Sequence, residues 1–301
     1  MDKVLILGVN GFTGKHFQEY IVKNKLLKRF TFVGIDSSVG RLIDIDYIRL
    51  DLTDLKRTES LILRIKPDYI INFAGTFDQS DFNRMFNINA EISRNILEVI
   101  ARNAIPVKKI LFVGSAAEYG KAKRLPIREN TPLLPVSLYG LTKSIQSMYA
   151  DYYANNFNIK LNIARTFNIA GRSVSKSLCV GSFTHQIKKA KQNDVLAAGN
   201  LKTKRDFLNI EDVIDAYWKI LLRGKSGEVY NVCSGKSRYI KEILDYLIKE
   251  SGKKIKVEVK KEKLRKLDIM DSFGSNLKLR KDTGWKEKKG IFAGLKQALE
   301  G

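Results

Sequence analysis

The chain has 301 residues, 44% of them apolar, and carries 54 lysines and arginines against 32 acids, a net charge of +22. That size admits one large domain or two sharing a core, and no apolar run approaches the roughly 20 residues of a membrane helix. The basic excess is spread along the chain, densest from Lys253 to Lys266, without aromatic interleaving; a lysine-rich surface serving an anionic small substrate is therefore expected, not a nucleic-acid partner.

The start, Met1-Asp2-Lys3, leads at once into Val4-Leu5-Ile6-Leu7-Gly8, too short and too quickly broken for a secretory leader. A cytoplasmic protein is expected. Short apolar runs follow in chain order: Lys3–Gly8, Phe30–Asp36, Tyr47–Asp51, Tyr69–Ala74 and Lys109–Ser115. Each is succeeded by a helical pattern, which predicts βαβ units and a parallel sheet with helices on both faces. Lys160–Arg165 and Glu228–Val232 read as two later strands of that sheet.

Two long helices are predicted, Asn83 to Asn103 and Leu138 to Asn156, the first with a stripe at Ile88, Ile92, Leu97 and Ile100. Such a stripe serves either a homodimer interface through the two long helices or packing on the chain's own sheet; periodicity does not choose. After Asn168 the rhythm fades. The expected fold is α/β, a Rossmann-type doubly wound parallel sheet with a smaller C-terminal substrate-binding lobe. Residues 1–168 and 209–232 would bind the dinucleotide, and 169–208 and 233–301 the substrate. Cys179 and Cys233, in apolar runs, are expected to be buried thiols, and His16 and His185 have no metal-ligand spacing, so no metal is expected.

Val4 to Gly14 is a strand running into Gly8-Val9-Asn10-Gly11-Phe12-Thr13-Gly14 and then a helix. Glycines permit the tight turn and let backbone approach a pyrophosphate, which the helix N-terminus attracts. Gly8, Asn10, Gly11, Phe12, Thr13 and Gly14 are thus coenzyme candidates. Asp36, closing the second strand, stands where an acid accepts from the adenosine ribose and repels a 2′-phosphate. This favours NAD(H) over NADP(H), with Arg41 nearby arguing the other way. Asp51 and Leu52 follow the third strand at the adenine, and Phe73, Ala74 and Gly75 supply a fourth strand end beneath the coenzyme.

Tyr139 and Lys143 lie one helical turn apart on one face. A free phenol has a pKa of about 10; a neighbouring ammonium and an oxidised nicotinamide would both favour phenolate and bring Tyr139 into acid–base range. Ser115, at a strand end, can address the same substrate oxygen, and Asn89 is placed to bridge to Lys143.

These motifs resemble the extended short-chain dehydrogenase/reductase family, which acts on nucleotide sugars. The second half carries the finer resemblance: Gly199-Asn200, Lys204-Arg205-Asp206-Phe207 with Asp212-Val213, Val229 to Gly235, and Gly274-Ser275-Asn276 followed by Thr283-Gly284-Trp285. That set is similar to the GDP-4-keto-6-deoxymannose reductases and GDP-mannose 4,6-dehydratases. The resemblance implies Arg205 and Arg265 on the substrate pyrophosphate, Asn168 at the sugar or its first phosphate, and Tyr119, Gly199 and Asp268 nearby. It implies a GDP-linked substrate and a GDP-deoxyhexose product of the kind used in polysaccharide synthesis. The alternative for Arg205 is an ion pair with Asp206 or Asp268.

Sugar 4,6-dehydratases need an acid and a base directly after the active-site hydroxyl, where this chain has Ala116 and Ala117. An alanine methyl moves no proton. Glu118, one place on in what reads as a strand-like stretch, would face away. Net reduction of a keto sugar is expected, with 4-epimerisation through a transient ketone as the alternative. A non-catalytic nucleotide- or RNA-binding role is a third reading, opposed by the intact Ser–Tyr–Lys set.

Overall fold

In a computed structural model, residues 1–40, 42–264 and 268–301 are described. The strands are β1 (Asp2–Leu7), β2 (Phe30–Asp36), β3 (Asp46–Arg49), β4 (Tyr69–Asn72), β5 (Lys109–Ser115), β6 (Leu161–Thr166), β7 (Asn168–Ala170), β8 (Val195–Ala198), β9 (Lys204–Arg205), β10 (Phe207–Asn209) and β11 (Val229–Val232). A parallel sheet of seven runs β11-β6-β5-β4-β1-β2-β3. Leu5 lies beside Val33 on one side and Ile70 on the other, and Phe112 beside Ile163. The order reverses between β1 and β4, the crevice where doubly wound sheets bind their ligands.

Period-two side-chain alternation splits β1 between two cores. Val4 and Ile6 enter one cluster with α1 (Phe12–Lys23) and, further along the chain, Val213 to Leu221. Leu5 and Leu7 enter the other with α2 (Leu55–Ile65) and the two long helices. Burial on both faces explains why these strands read as nearly continuous apolar runs.

The first long helix begins as α3 (Phe82–Phe86), passes through a π-helical turn at Asn87–Glu91, and continues as α4 (Ile92–Arg102); the second is α5 (Leu138–Phe157). Ile92, Leu97 and Ile100 are buried inside the chain against the sheet and α5. That stripe serves the chain's own core.

The stretches 169–208 and 233–301, which looked irregular, hold α6 (Cys179–Lys189), α8 (Ile240–Glu250), α9 (Leu277–Thr283) and α10 (Gly290–Glu300), while α7 (Ile210–Arg223) lies between them and packs in the first core. Their strands pair in ladders of two or three short members, too brief to show alternation in sequence. Phe183, Ile187, Leu196, Ile243, Leu247 and Leu295 build a separate cluster there. Cys233 is buried as expected, but Cys179, opening α6, is only partly covered.

Candidate active site

At the end of β1 the chain turns at Gly8, whose φ is +74° and whose added Cβ would stand 2.7 Å from the Ala74 amide nitrogen. Only glycine fits both conditions. At Gly14 an added Cβ would meet the Gly8 and Val9 carbonyls, so the missing side chain seats α1 on the strand turn. Gly11 differs. It is the N-cap of α1, exposed, with no side chain satisfying the helix's first amides. An added Cβ there meets only the turn's own Gly8 oxygen, at 3.3 Å. The donor-rich cradle suits a pyrophosphate.

Asp36 closes β2 with its carboxylate engaged: Oδ2 accepts from the Asn10 amide at 2.9 Å, and Oδ1 from the Ser38 amide at 2.9 Å and hydroxyl at 2.8 Å. Asn10 also donates to the Tyr47 hydroxyl at 3.2 Å. Asp51 accepts from Thr53, and Leu52 is buried. The Phe73 ring packs between Phe17, 5.3 Å away, and Tyr217, 5.9 Å away. Phe12 meets His16 edge-on at 5.0 Å, and Thr13 is half-buried beside it. Arg41 lies outside the described residues.

β5 delivers Ser115 to the same end of the sheet. Ser115 caps a 3-10 turn, Ala116–Glu118, its hydroxyl oxygen accepting from the Ala117 amide at 3.1 Å. Ser137 caps α5 by accepting from Gly140 at 3.0 Å, which sets Tyr139 in the first turn, its ring 4.3 Å from that of Phe77. Ser115 and Tyr139 are hydrogen-bonded through their hydroxyls. Lys143 follows one turn later, buried, its ammonium donating to the Val113 carbonyl and to Gln146 Oε1, both at 3.0 Å. A Cβ on Gly75 would stand 3.4 Å from Asn89 Oδ1 and 3.6 Å from Lys143 Nζ. Asn89 bonds Thr76 and Thr142 and sits in the π-turn, a device frequent at functional sites. Ser115, Tyr139, Lys143, Gly75 and Asn89 are thus brought together.

The expected electrostatics need a correction. Burial pushes the Tyr139 phenol well above its ordinary range, the Ser115 hydrogen bond opposes this, and Glu118 adds to the rise. Lys143 is not among the groups that set it; its ammonium donates two of its three protons to Val113 and Gln146. Burial in turn lowers Lys143 to about 8, with Glu118 resisting. Tyr139 rests as a protonated acid.

Glu118 departs from the expected local geometry. The segment is a 3-10 turn, not a strand, and the carboxylate turns inward. Oε1 accepts from the Ser115 amide at 2.7 Å; Oε2 accepts from Ser147 Oγ at 2.6 Å and Arg165 Nε at 2.8 Å. Sequence reading missed this network, as it missed the contact of the Tyr217 hydroxyl with Thr166 Oγ1, 2.6 Å away; burial first, and Tyr139 after it, raise the Tyr217 phenol.

The residues assigned to the substrate separate. Tyr119 is fully buried, giving its hydroxyl proton to Asn231 at 2.7 Å beneath the Arg165 guanidinium; it does not reach the cleft. Arg205 pairs with Asp268 at 3.3 Å and donates to the Lys204 and Ile269 carbonyls. Asp206 instead holds loops together. Its carboxylate accepts from the amides of Ser234, Gly235 and Gly274 and from the Ser234 hydroxyl, while burial lifts it to about 6. Asn168 donates to the Asp206 carbonyl at 2.9 Å, and Gly199 passes against the Lys263 carbonyl. Arg265 lies outside the described residues.

Among the described residues no group of three or more His, Cys, Asp or Glu could hold a metal, and no helix is long and apolar enough to cross a membrane. A surface groove of about 530 Å³ lined by Phe30, Phe32, Ile45 and Tyr47 opens at the N-terminal ends of β2 and β3, opposite the end that carries Ser115.

Residues 4–233 match the NAD dependent epimerase/dehydratase family. The GDP-6-deoxy-D-mannose reductase of Pseudomonas aeruginosa is 26% identical, covering 99% of this chain and 96% of that protein. A probable UDP-arabinose 4-epimerase of Arabidopsis thaliana is also 26% identical, over 99% of this chain and 79% of that one. The solved structure of RMD from Pseudomonas aeruginosa complexed with NADPH superposes with a TM-score of 0.84 at 25% identity, covering 100% of this chain and 98% of that one.

Proposed function

The chain belongs to the NAD dependent epimerase/dehydratase family, and from that premise we propose that it reduces the C4 ketone of a nucleotide-linked 4-keto-6-deoxy sugar, GDP being the linked nucleotide. The observation that carries this reading is the turn after Ser115. Ala116 and Ala117 offer no proton donor or acceptor, and Glu118, the next ionisable group, is locked against Ser115, Ser147 and Arg165. Elimination of water across C5 and C6 lacks its acid and base, while carbonyl chemistry has all its parts.

A nicotinamide coenzyme bound along the glycine turn supplies the hydride that reduces C4. Gly8, Gly11 and Gly14 open the backbone to its pyrophosphate, and Asp36 faces the adenosine ribose, supporting NAD(H) over NADP(H). Lys143 holds the nicotinamide ribose, with Asn89 fixing the turn beside it. The Ser115 hydroxyl, whose oxygen already accepts from Ala117, directs its proton to the substrate O4. Tyr139, protonated at rest, gives its proton to the same oxygen as it becomes an alkoxide, completing the alcohol. Residues 169–208 and 233–301 close over the nucleotide sugar, with Arg205 and Arg265 on its pyrophosphate. Leu141, Met148 and Tyr152 form an exposed apolar line on α5, which supports a homodimer through that helix.

The test is oxidation of NADH or NADPH by freshly made GDP-4-keto-6-deoxymannose. Stoichiometric oxidation is expected, and none with either coenzyme would end the reductase reading. The epimerase relative supports a second reading, 4-epimerisation with retained NAD. It would show instead as interconversion of 4-epimeric nucleotide sugars without net coenzyme consumption.

A further inference from the structure

We infer that Glu118 is a positioning residue for the reaction: it fixes the backbone of Ser115 against helix α5, so that the Ser115 hydroxyl keeps its proton aimed at the substrate oxygen. This rests on the ketone-reduction reading above for its kinetic consequence, but not for its geometry.

The carboxylate joins three elements. Oε1 takes the Ser115 amide, the last of β5, at 2.7 Å. Oε2 takes Ser147 of α5 at 2.6 Å and Arg165 of β6 at 2.8 Å. Ser147 lies one turn beyond Lys143 and two beyond Tyr139, on the same face. One side chain therefore ties the serine to the helix that carries the tyrosine and lysine. The tie is reciprocal with the serine's own cap. Because Ser115 Oγ accepts from Ala117, its one proton is kept for a donor bond, toward Tyr139 in this structure and toward the substrate oxygen once the site is filled. The sequence makes room for this: a Cβ on Gly114 would stand 2.5 Å from Glu118 Oε1. The Arg165 guanidinium, 6% exposed against 0% for Glu118, faces the carboxylate and opposes the rise that burial imposes on it. A buried pair of this kind adds little stability relative to well-packed apolar residues, so holding the Ser115 amide is a fitting reason for its presence. Small displacements of reacting groups cost large factors in rate.

The experiment compares two double variants that both remove the charge pair. Glu118→Gln with Arg165→Met keeps an amide oxygen for the Ser115 amide; Glu118→Leu with Arg165→Met removes it. The readouts are melting temperature, NADH affinity, kcat and KM for the keto sugar, and amide exchange over residues 113–118 followed by mass spectrometry. The leucine variant is expected to lose about tenfold or more in kcat, with KM and NADH affinity within about twofold. Its Ser115 amide should exchange about tenfold faster than in the glutamine variant, while the glutamine variant keeps both near the wild type. A folded leucine variant with wild-type kcat and Ser115 protection would overturn the inference. If the leucine variant does not fold, the glutamine variant decides: wild-type protection and kcat support the tether, and a loss of about tenfold in either overturns it. If the wild type turns over no keto sugar, the functional reading fails while the exchange comparison still judges the tether.

Discussion

The α-carbon of Gly140 faces the carbonyl of Ala117 so closely that an added Cβ would stand 2.5 Å from that oxygen. This contact is where α5, carrying Tyr139 and Lys143, touches the turn that follows Ser115. Gly140→Ala must push helix and turn apart. The expected cost is about 1–3 kcal/mol of stability and roughly tenfold to a hundredfold in kcat. Thermal melting and steady-state kinetics check it; unchanged kcat would mean that the spacing of Ser115 from Tyr139 does not matter.

Tyr139→Phe removes the proposed proton donor while leaving the ring against Phe77, 4.3 Å away. kcat should fall by roughly 10²–10⁴, with coenzyme affinity unchanged. A retained rate would take Tyr139 out of the chemistry.

Lys143 is held at about 8 by burial, below its ordinary 10.5. Between those values the unfolded chain holds a proton that the folded one has lost, so this residue makes stability rise as pH climbs through that window, and its buried ammonium costs stability at neutral pH. Lys143→Met is therefore expected to melt a few degrees higher than the wild type at pH 7 and to lose activity. The melting advantage should shrink as pH rises above about 8. In the wild type, NADH affinity should decline over the same range as the ammonium discharges; affinity that stays flat to about pH 10 would contradict this.

Asp36 sets its carboxylate with the Asn10 and Ser38 amides. Asp36→Ala should raise kcat/KM with NADPH relative to NADH by about tenfold or more, the scale of removing one close charge repulsion. Measuring both coenzymes with one keto-sugar preparation decides it, and an unaltered ratio would mean that the 2′-phosphate never meets this residue.

Asp206 sits at about 6, raised by burial from its ordinary 3.8. Between those values the folded chain holds the extra proton, so this residue makes stability fall as pH rises from about 4 to 6. Asp206→Asn should flatten that segment of the melting profile. It also turns an amide NH₂ toward backbone donors, at a cost of about 1–3 kcal/mol at neutral pH. Parallel pH slopes for variant and wild type would refute the assignment.

What could be read in the chain was whatever repeats or carries its own turn chemistry. Burial on both faces gave β1, β2, β4 and β5 nearly continuous apolar runs, so their presence and type were legible, and β2 and β5 fall on their predicted residues. The glycine turn was legible because Gly8 and Gly14 are demanded locally. What eluded the sequence was long-range. Nothing in the spacing of Glu118 announces Arg165 or Ser147 as partners, and the expectation of an extended stretch there overlooked a capping box of Ser115 with Glu118, a signal that serine followed three places later by glutamate does carry. Tyr119 was misplaced for the same reason, since its partner Asn231 lies across the sheet. The rise that burial imposes on the Tyr139 phenol was not legible, because burial depth is not written in a YxxxK spacing.

The last strand of the sheet, β11, joins β6 only after the chain has left and come back; Val229 to Val232 lie against Ile163 to Thr166. A fragment that stops at the end of β6 would leave that strand as a raw edge, its buried residues uncovered and open to pairing with other chains. Residues 229–232 therefore cover the long edge of β6 and leave at the border of the sheet a strand of only four residues, a length that offers other chains little to pair with.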